Sequence, residues 1–136
     1  MSKSSATATT SSRTSGRTKF LLGGITLVAV GIAAIVLYTL VTLSVSYSDG
    51  DRAGILQKFS RKGWICKTYE GELAMSYTPG MAPVLWYFSV RDDAVAAKIK
   101  DAQGKRVVVH YNEHRGVPTD CFGETQYYVD DVRVIE

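Results

Sequence analysis

Acidic residues are missing from the first 48 positions, and all 13 Asp and Glu lie from Asp49 onward. Charge of either sign is missing from Phe20 to Val45, a run of 26 mostly apolar residues. Histidine and cysteine are scarce, at two each among 136 residues, and proline occurs three times. No Cys-x-x-Cys is present, which removes a thioredoxin-like redox pair. No Gly-x-Gly-x-x-Gly, Gly-x-Ser-x-Gly or His-Glu-x-x-His string occurs, so the motifs of dinucleotide binding, α/β-hydrolysis and zinc proteolysis are all wanting. The prolines, Pro79, Pro83 and Pro118, fall in two irregular stretches and leave the intervening segments free to form strands.

What is present begins with the apolar run. As a helix it reaches ~39 Å, more than a ~30 Å hydrocarbon core requires. Its N-terminal flank carries Lys3, Arg13, Arg17 and Lys19 without an acid, whereas the other flank opens Ser46-Tyr47-Ser48-Asp49-Gly50-Asp51. Basic residues hold a short flank in the cytoplasm, so residues 46–136 are expected outside the cytoplasmic membrane. Ser44-Val45-Ser46 offers small residues to a signal peptidase, but a signal core is only ~7–15 apolar residues, and the length favours an uncleaved anchor. Residues 1–19, mostly Ser and Thr, read as a disordered cytoplasmic tail.

The formal net charge of +3 belongs to that tail. Beyond the membrane segment 12 of the 16 basic residues face all 13 acids, a net charge of −1. A basic field that would attract nucleic acid is therefore not expected there.

The exported part has room for one modest domain. Strands are expected at 54–60 and 64–73, joined by a turn at Arg61-Lys62-Gly63, and at 84–90, the most apolar stretch. Asp92-Asp93 offers an N-cap to a short helix over 94–100, with Gly104 beyond its end. Strands follow at 106–112 and from Gln126 to Ile135, the last bent at Asp130-Asp131. The expected fold is mainly β, with one N-terminal transmembrane α-helix and a small five-stranded OB-like barrel ordered strand, strand, strand, helix, strand, strand. Gly54 is the position at which a long first strand bends.

Three strings, Tyr47-Ser48-Asp49-Gly50-Asp51-Arg52-Ala53-Gly54, Lys58-Phe59-Ser60-Arg61-Lys62-Gly63-Trp64 and Cys66-Lys67-Thr68-Tyr69-Glu70-Gly71-Glu72-Leu73, are distinctive, as is the stretch from Cys121 to Val129. Through them the chain resembles a group of small single-pass bacterial membrane proteins of unknown function. Some look-alikes carry the label 6-phosphogluconate dehydrogenase. About 90 exported residues without a glycine fingerprint do not hold a dinucleotide-binding unit and a substrate domain.

Four sets of candidate residues follow. Cys66 and Cys121 either form a disulfide, suited to an oxidising compartment, or stand as separate thiols. His110 and His114, with Glu113 or Asp120, are the candidate zinc set, but a third ligand and a closed second shell are needed, and two solvated or hydrogen-bonded imidazoles are the simpler reading. Glu70, Glu72, Asp92, Asp93, Asp130 and Asp131 are carboxylates close in sequence, which does not supply the cleft a hydrolase needs. Arg61, Lys62, Trp64, Lys67, Tyr69 and Arg91 form a candidate binding face, against which Trp64, Trp86 and Phe88 read equally as core. No cofactor is implied. The sequence reads as a membrane-anchored accessory module that binds another envelope or membrane protein, with a tethered metal-dependent hydrolase and a sugar- or small-ligand-binding module as the alternatives.

Overall fold

The computed structural model describes residues 16–76 and 78–135. The tail expected to be disordered lies outside the described residues as far as position 15. Helix α1, Gly16–Ser44, begins four residues before the apolar run and is long and apolar enough to cross a membrane, with a mean hydropathy of 2.6 over its best window. Its hydroxyls bond back within the helix, as in Thr26 Oγ1 to the Leu22 carbonyl at 2.8 Å, so they add little polar cost in an apolar setting. The chain divides into two units between Leu37 and Tyr38.

The second unit holds five strands, β1 (Ser48–Lys62), β2 (Thr68–Ser76), β3 (Val84–Val90), β4 (Arg106–Glu113) and β5 (Tyr127–Val134), with helix α2 (Asp93–Asp101) between β3 and β4. They close in the order β1-β2-β3-β5-β4, the connectivity of an OB-fold. Strand β1 makes closure possible by serving two neighbours. Its first half pairs with β4 from Ser48↔Glu113 to Ile55↔Arg106, and its second with β2 from Ile55↔Ala74 to Lys62↔Thr68. The changeover requires Gly54, because a Cβ there would stand 2.5 Å from the Ala74 carbonyl oxygen.

Strand β1 starts six residues earlier than its propensity suggests. Ser48 to Ala53, rich in Asp and Gly, is held extended by its ladder with β4 rather than by its own side chains. Strand β5 is continuous, and the expected bend at Asp130-Asp131 is a bulge: His110 pairs with Asp131 and Tyr111 with Val129, leaving Asp130 as the extra residue.

The core consists of the inward residues of the strands, with Leu56, Leu73, Phe88, Val107 and Val109 wholly buried, and of Val95, Ala96 and Ile99 from α2. Each buried large aliphatic or aromatic side chain contributes ~1.5–3 kcal/mol. Helix α2 starts where Asp92 Oδ1 accepts from the amides of Ala94 (2.7 Å) and Val95 (3.1 Å), satisfying two of its free donors. Past its end the Gly104 amide donates to the Leu56 carbonyl at 2.8 Å and ties the helix to β1.

Candidate binding site

The β1–β2 connection begins at Gly63, whose φ of 134° and close approach to the Cys66 carbonyl oxygen admit no side chain. The chain therefore turns sharply after Lys62, and residues 64–67 leave the sheet. Trp64 was expected on a strand and does not lie on one. It and Ile65 are 101% and 97% exposed at the tip of the turn, while Trp86 and Phe88 are core. Cys66 is bonded to Cys121, with Cα atoms 4.9 Å apart. Cys121 belongs to the long β4–β5 connection, so one covalent bond joins the two loops at this end of the barrel.

Between the two loops lies a cleft of about 310 Å³ lined by Arg61, Lys67, Tyr69, Arg91, Asp93 and Phe122 among others. Four of the six residues expected on a binding face thus meet in one place. Arg61 lies 5.5 Å from the Tyr69 ring centroid, and Tyr69 stacks in turn on Phe59 at 5.8 Å. Arg91 lies over Phe122 at 5.7 Å and Tyr128 at 5.9 Å. These cation–π contacts leave the guanidinium N–H donors available to other partners. Among the described residues, Arg61, Lys67 and Arg91 form no ion pair. Burial pushes the Tyr128 hydroxyl pKa up, with Arg91 acting against it.

Lys62 does not belong to this cleft. Successive side chains of a strand alternate, so Arg61 and Lys62 leave opposite faces. Lys62 Nζ binds Glu124 at 2.7 Å, and that bond raises its pKa. Its face, on the outer surface of β1, β2 and β3, also carries Lys58 beside Glu72 at 3.4 Å. Glu70 is buried there and accepts from Ser89 Oγ (2.7 Å) and the Glu124 amide (3.0 Å). Its carboxylate thereby anchors the β4–β5 connection to the sheet.

The histidines occupy separate environments. His110 Nδ1 sits 2.9 Å from Asp51 Oδ1 on the exposed side of β4, and this bond raises its pKa. His114 is buried, its ring edge-on to Tyr128, and its Nδ1–H donates to the carbonyls of Val45 (3.0 Å) and Thr42 (3.2 Å). No group of three or more potential ligands able to hold a metal occurs among the described residues. The remaining carboxylates are dispersed: Asp92 caps α2, Asp131 lies 3.8 Å from Lys98, and Asp130 accepts from Asn112 at 2.6 Å.

One residue with an unusual environment is not apparent from composition. The Arg52 guanidinium lies 4.9, 5.4 and 5.9 Å from the ring centroids of Trp86, Tyr111 and Tyr127, enclosed by aromatic faces. The alternation that turns Leu56 and Gly54 inward also points Arg52 inward, and this was the available signal.

Residues 45–134 match the family described as Domain of unknown function (DUF8785). The chain belongs to that family. The DUF8785 region comprises the barrel and leaves out α1. That family has no stated function, consistent with the resemblance drawn from the sequence. No curated protein matches the chain. Among solved structures the chain is similar to the mitochondrial single-stranded DNA-binding protein Rim1 from S. cerevisiae, at 9% identity and a TM-score of 0.48, over 68% of this chain and 97% of that one. That likeness is too remote to bear on what a DUF8785 barrel binds.

Proposed function

We propose that this protein is a membrane-anchored binding module. Helix α1 holds it in the cytoplasmic membrane with the basic N-terminal flank inside, and the barrel stands outside, engaging another envelope or membrane protein. The observation that carries this reading is the disulfide-linked end of the barrel. There the turn carries a fully exposed Trp64-Ile65 pair, and the nearby cleft has arginines within cation–π distance of aromatic rings. Trp, Tyr and Arg are the side chains on which protein interfaces concentrate binding energy, and a covalently joined pair of loops loses less entropy on binding. The disulfide itself fits an oxidising compartment, in line with export. Nucleic acid is not the expected partner, because the outer face of β1, β2 and β3 carries Glu72 and Glu124 with its two lysines already paired to them.

The anchor and its sidedness are tested by protease treatment of spheroplasts carrying a chain tagged at both ends. The expected result is loss of the C-terminal tag, with the N-terminal tag protected and retained in the membrane fraction. A C-terminal tag protected in intact spheroplasts, or an N-terminal tag missing from the mature chain, would contradict the reading.

A further inference from the structure

We propose that the cleft between the β1–β2 turn and the β4–β5 connection takes a short, carboxylate-rich segment of a partner protein. This rests on the binding-module reading and names the chemistry of its ligand.

The cleft gathers positive charge. Arg61, Lys67 and Arg91 line it together, and among the described residues none of the three has a carboxylate within 4.0 Å, as Lys58, Lys62, Lys98, Arg115 and Arg133 have. Asp93 is the acid that lines the cleft, and it lies in the first turn of α2, where the helix dipole favours it. Three cations and one acid around about 310 Å³ leave the cleft with a net positive charge, complementary to an anion from outside the chain. The Arg61 and Arg91 guanidiniums lie 5.5 and 5.7 Å from the ring centroids of Tyr69 and Phe122, and a guanidinium's fork of donors pairs with carboxylates two bonds at a time.

Two neighbouring features limit what that anion belongs to. The adjoining face offers a long polyanion no free cation, because Lys58 and Lys62 are paired with Glu72 and Glu124, so the charged stretch is short. Trp64 and Ile65, fully exposed on the turn that carries Lys67, offer an apolar contact to residues flanking the acids, which favours a protein segment over a free anion or a lipid headgroup.

The test uses the full chain in nanodiscs of zwitterionic lipid, titrated with a fluorescent Glu-rich octapeptide containing one Leu and one Phe. Saturable binding is expected, weakened at least tenfold when Arg61→Glu and Arg91→Glu are combined, partly restored by Arg61→Lys with Arg91→Lys, and unchanged by Lys105→Glu. Absence of binding, or equal binding by the double charge reversal with its disulfide intact, would overturn the proposal. Tighter binding of a dT oligonucleotide or of phosphatidylglycerol vesicles through the same arginines would also overturn it and assign the cleft to phosphate. A photo-crosslinker at Ile65 in living cells separates this inference from the one it rests on. A discrete protein adduct that ignores the charge reversal refutes the acidic segment alone, and absence of both adduct and peptide binding refutes both.

Discussion

Cys66 and Cys121, 55 residues apart, are joined by a disulfide that fastens the β1–β2 turn to the β4–β5 connection. The bond closes a large loop in the unfolded chain, which on the chain-entropy model stabilises the fold by ~4 kcal/mol. Replacing both residues by Ser is therefore expected to lower unfolding free energy by up to that amount, measured by urea denaturation with and without reductant. A double variant as stable as the parent under oxidising conditions would show that the two loops are held by other contacts.

Glu70 acts at the same end through hydrogen bonds rather than a covalent link. Glu70→Ala removes the acceptor for Ser89 Oγ and for the Glu124 amide, and a buried group left without its partner costs ~1–3 kcal/mol. The expected signature is a loss of that size in stability, with faster hydrogen exchange at the Glu124 amide. Unchanged protection of that amide would mean that the connection is fixed elsewhere.

Gly71 tests the packing behind the site. A Cβ there would collide with the Phe88 ring, which is wholly buried. Gly71→Ala is expected to cost ~1–3 kcal/mol as an overpacked core, and Gly71→Ala with Phe88→Leu to recover part of that loss. Additive losses in the double variant would contradict the contact.

Three of these features differ in how plainly the sequence declares them. Strand β3 and the Asp92 cap are legible because an apolar run and an Asp before a helical stretch are local signals. The exposure of Trp64 is not, because strand propensity cannot report that Gly63 turns the chain out of the sheet and that Cys66 must reach Cys121. The gathering of Arg61, Lys67 and Tyr69 is legible from the hairpin alone, whereas bringing Arg91 to them needs the closed barrel. Excluding Lys62 needed only the alternation of a strand, while placing Phe122 beside Arg91 needed the closed barrel.

His110 gives a pH dependence with a definite sign. Its hydrogen bond to Asp51 raises its pKa in the fold, helped by Asp130 and Asp49, so folding favours the protonated ring. The pair therefore stabilises fully below the unfolded value of ~6.5, and its contribution is lost as pH rises through the higher folded value. Both side chains are substantially exposed, which limits the effect to ~0.5 kcal/mol. Comparison of the parent with Asp51→Asn should show a stability gap at pH 5.5 that narrows by pH 8.5 to what the Arg133–Asp51 pair contributes, together with a lowered His110 titration midpoint by NMR. A gap that stays constant with pH would contradict the pairing.

The central claim is that the disulfide-linked end of the barrel is where this protein meets its partner. The direct measurement is site-specific photo-crosslinking in intact cells, with the reactive residue placed in turn at Ile65 and, on the opposite half of β1, at Asp51. The account predicts a discrete higher-mass protein adduct from Ile65 and none from Asp51. Adducts of equal yield from both positions, or from Asp51 alone, would contradict it.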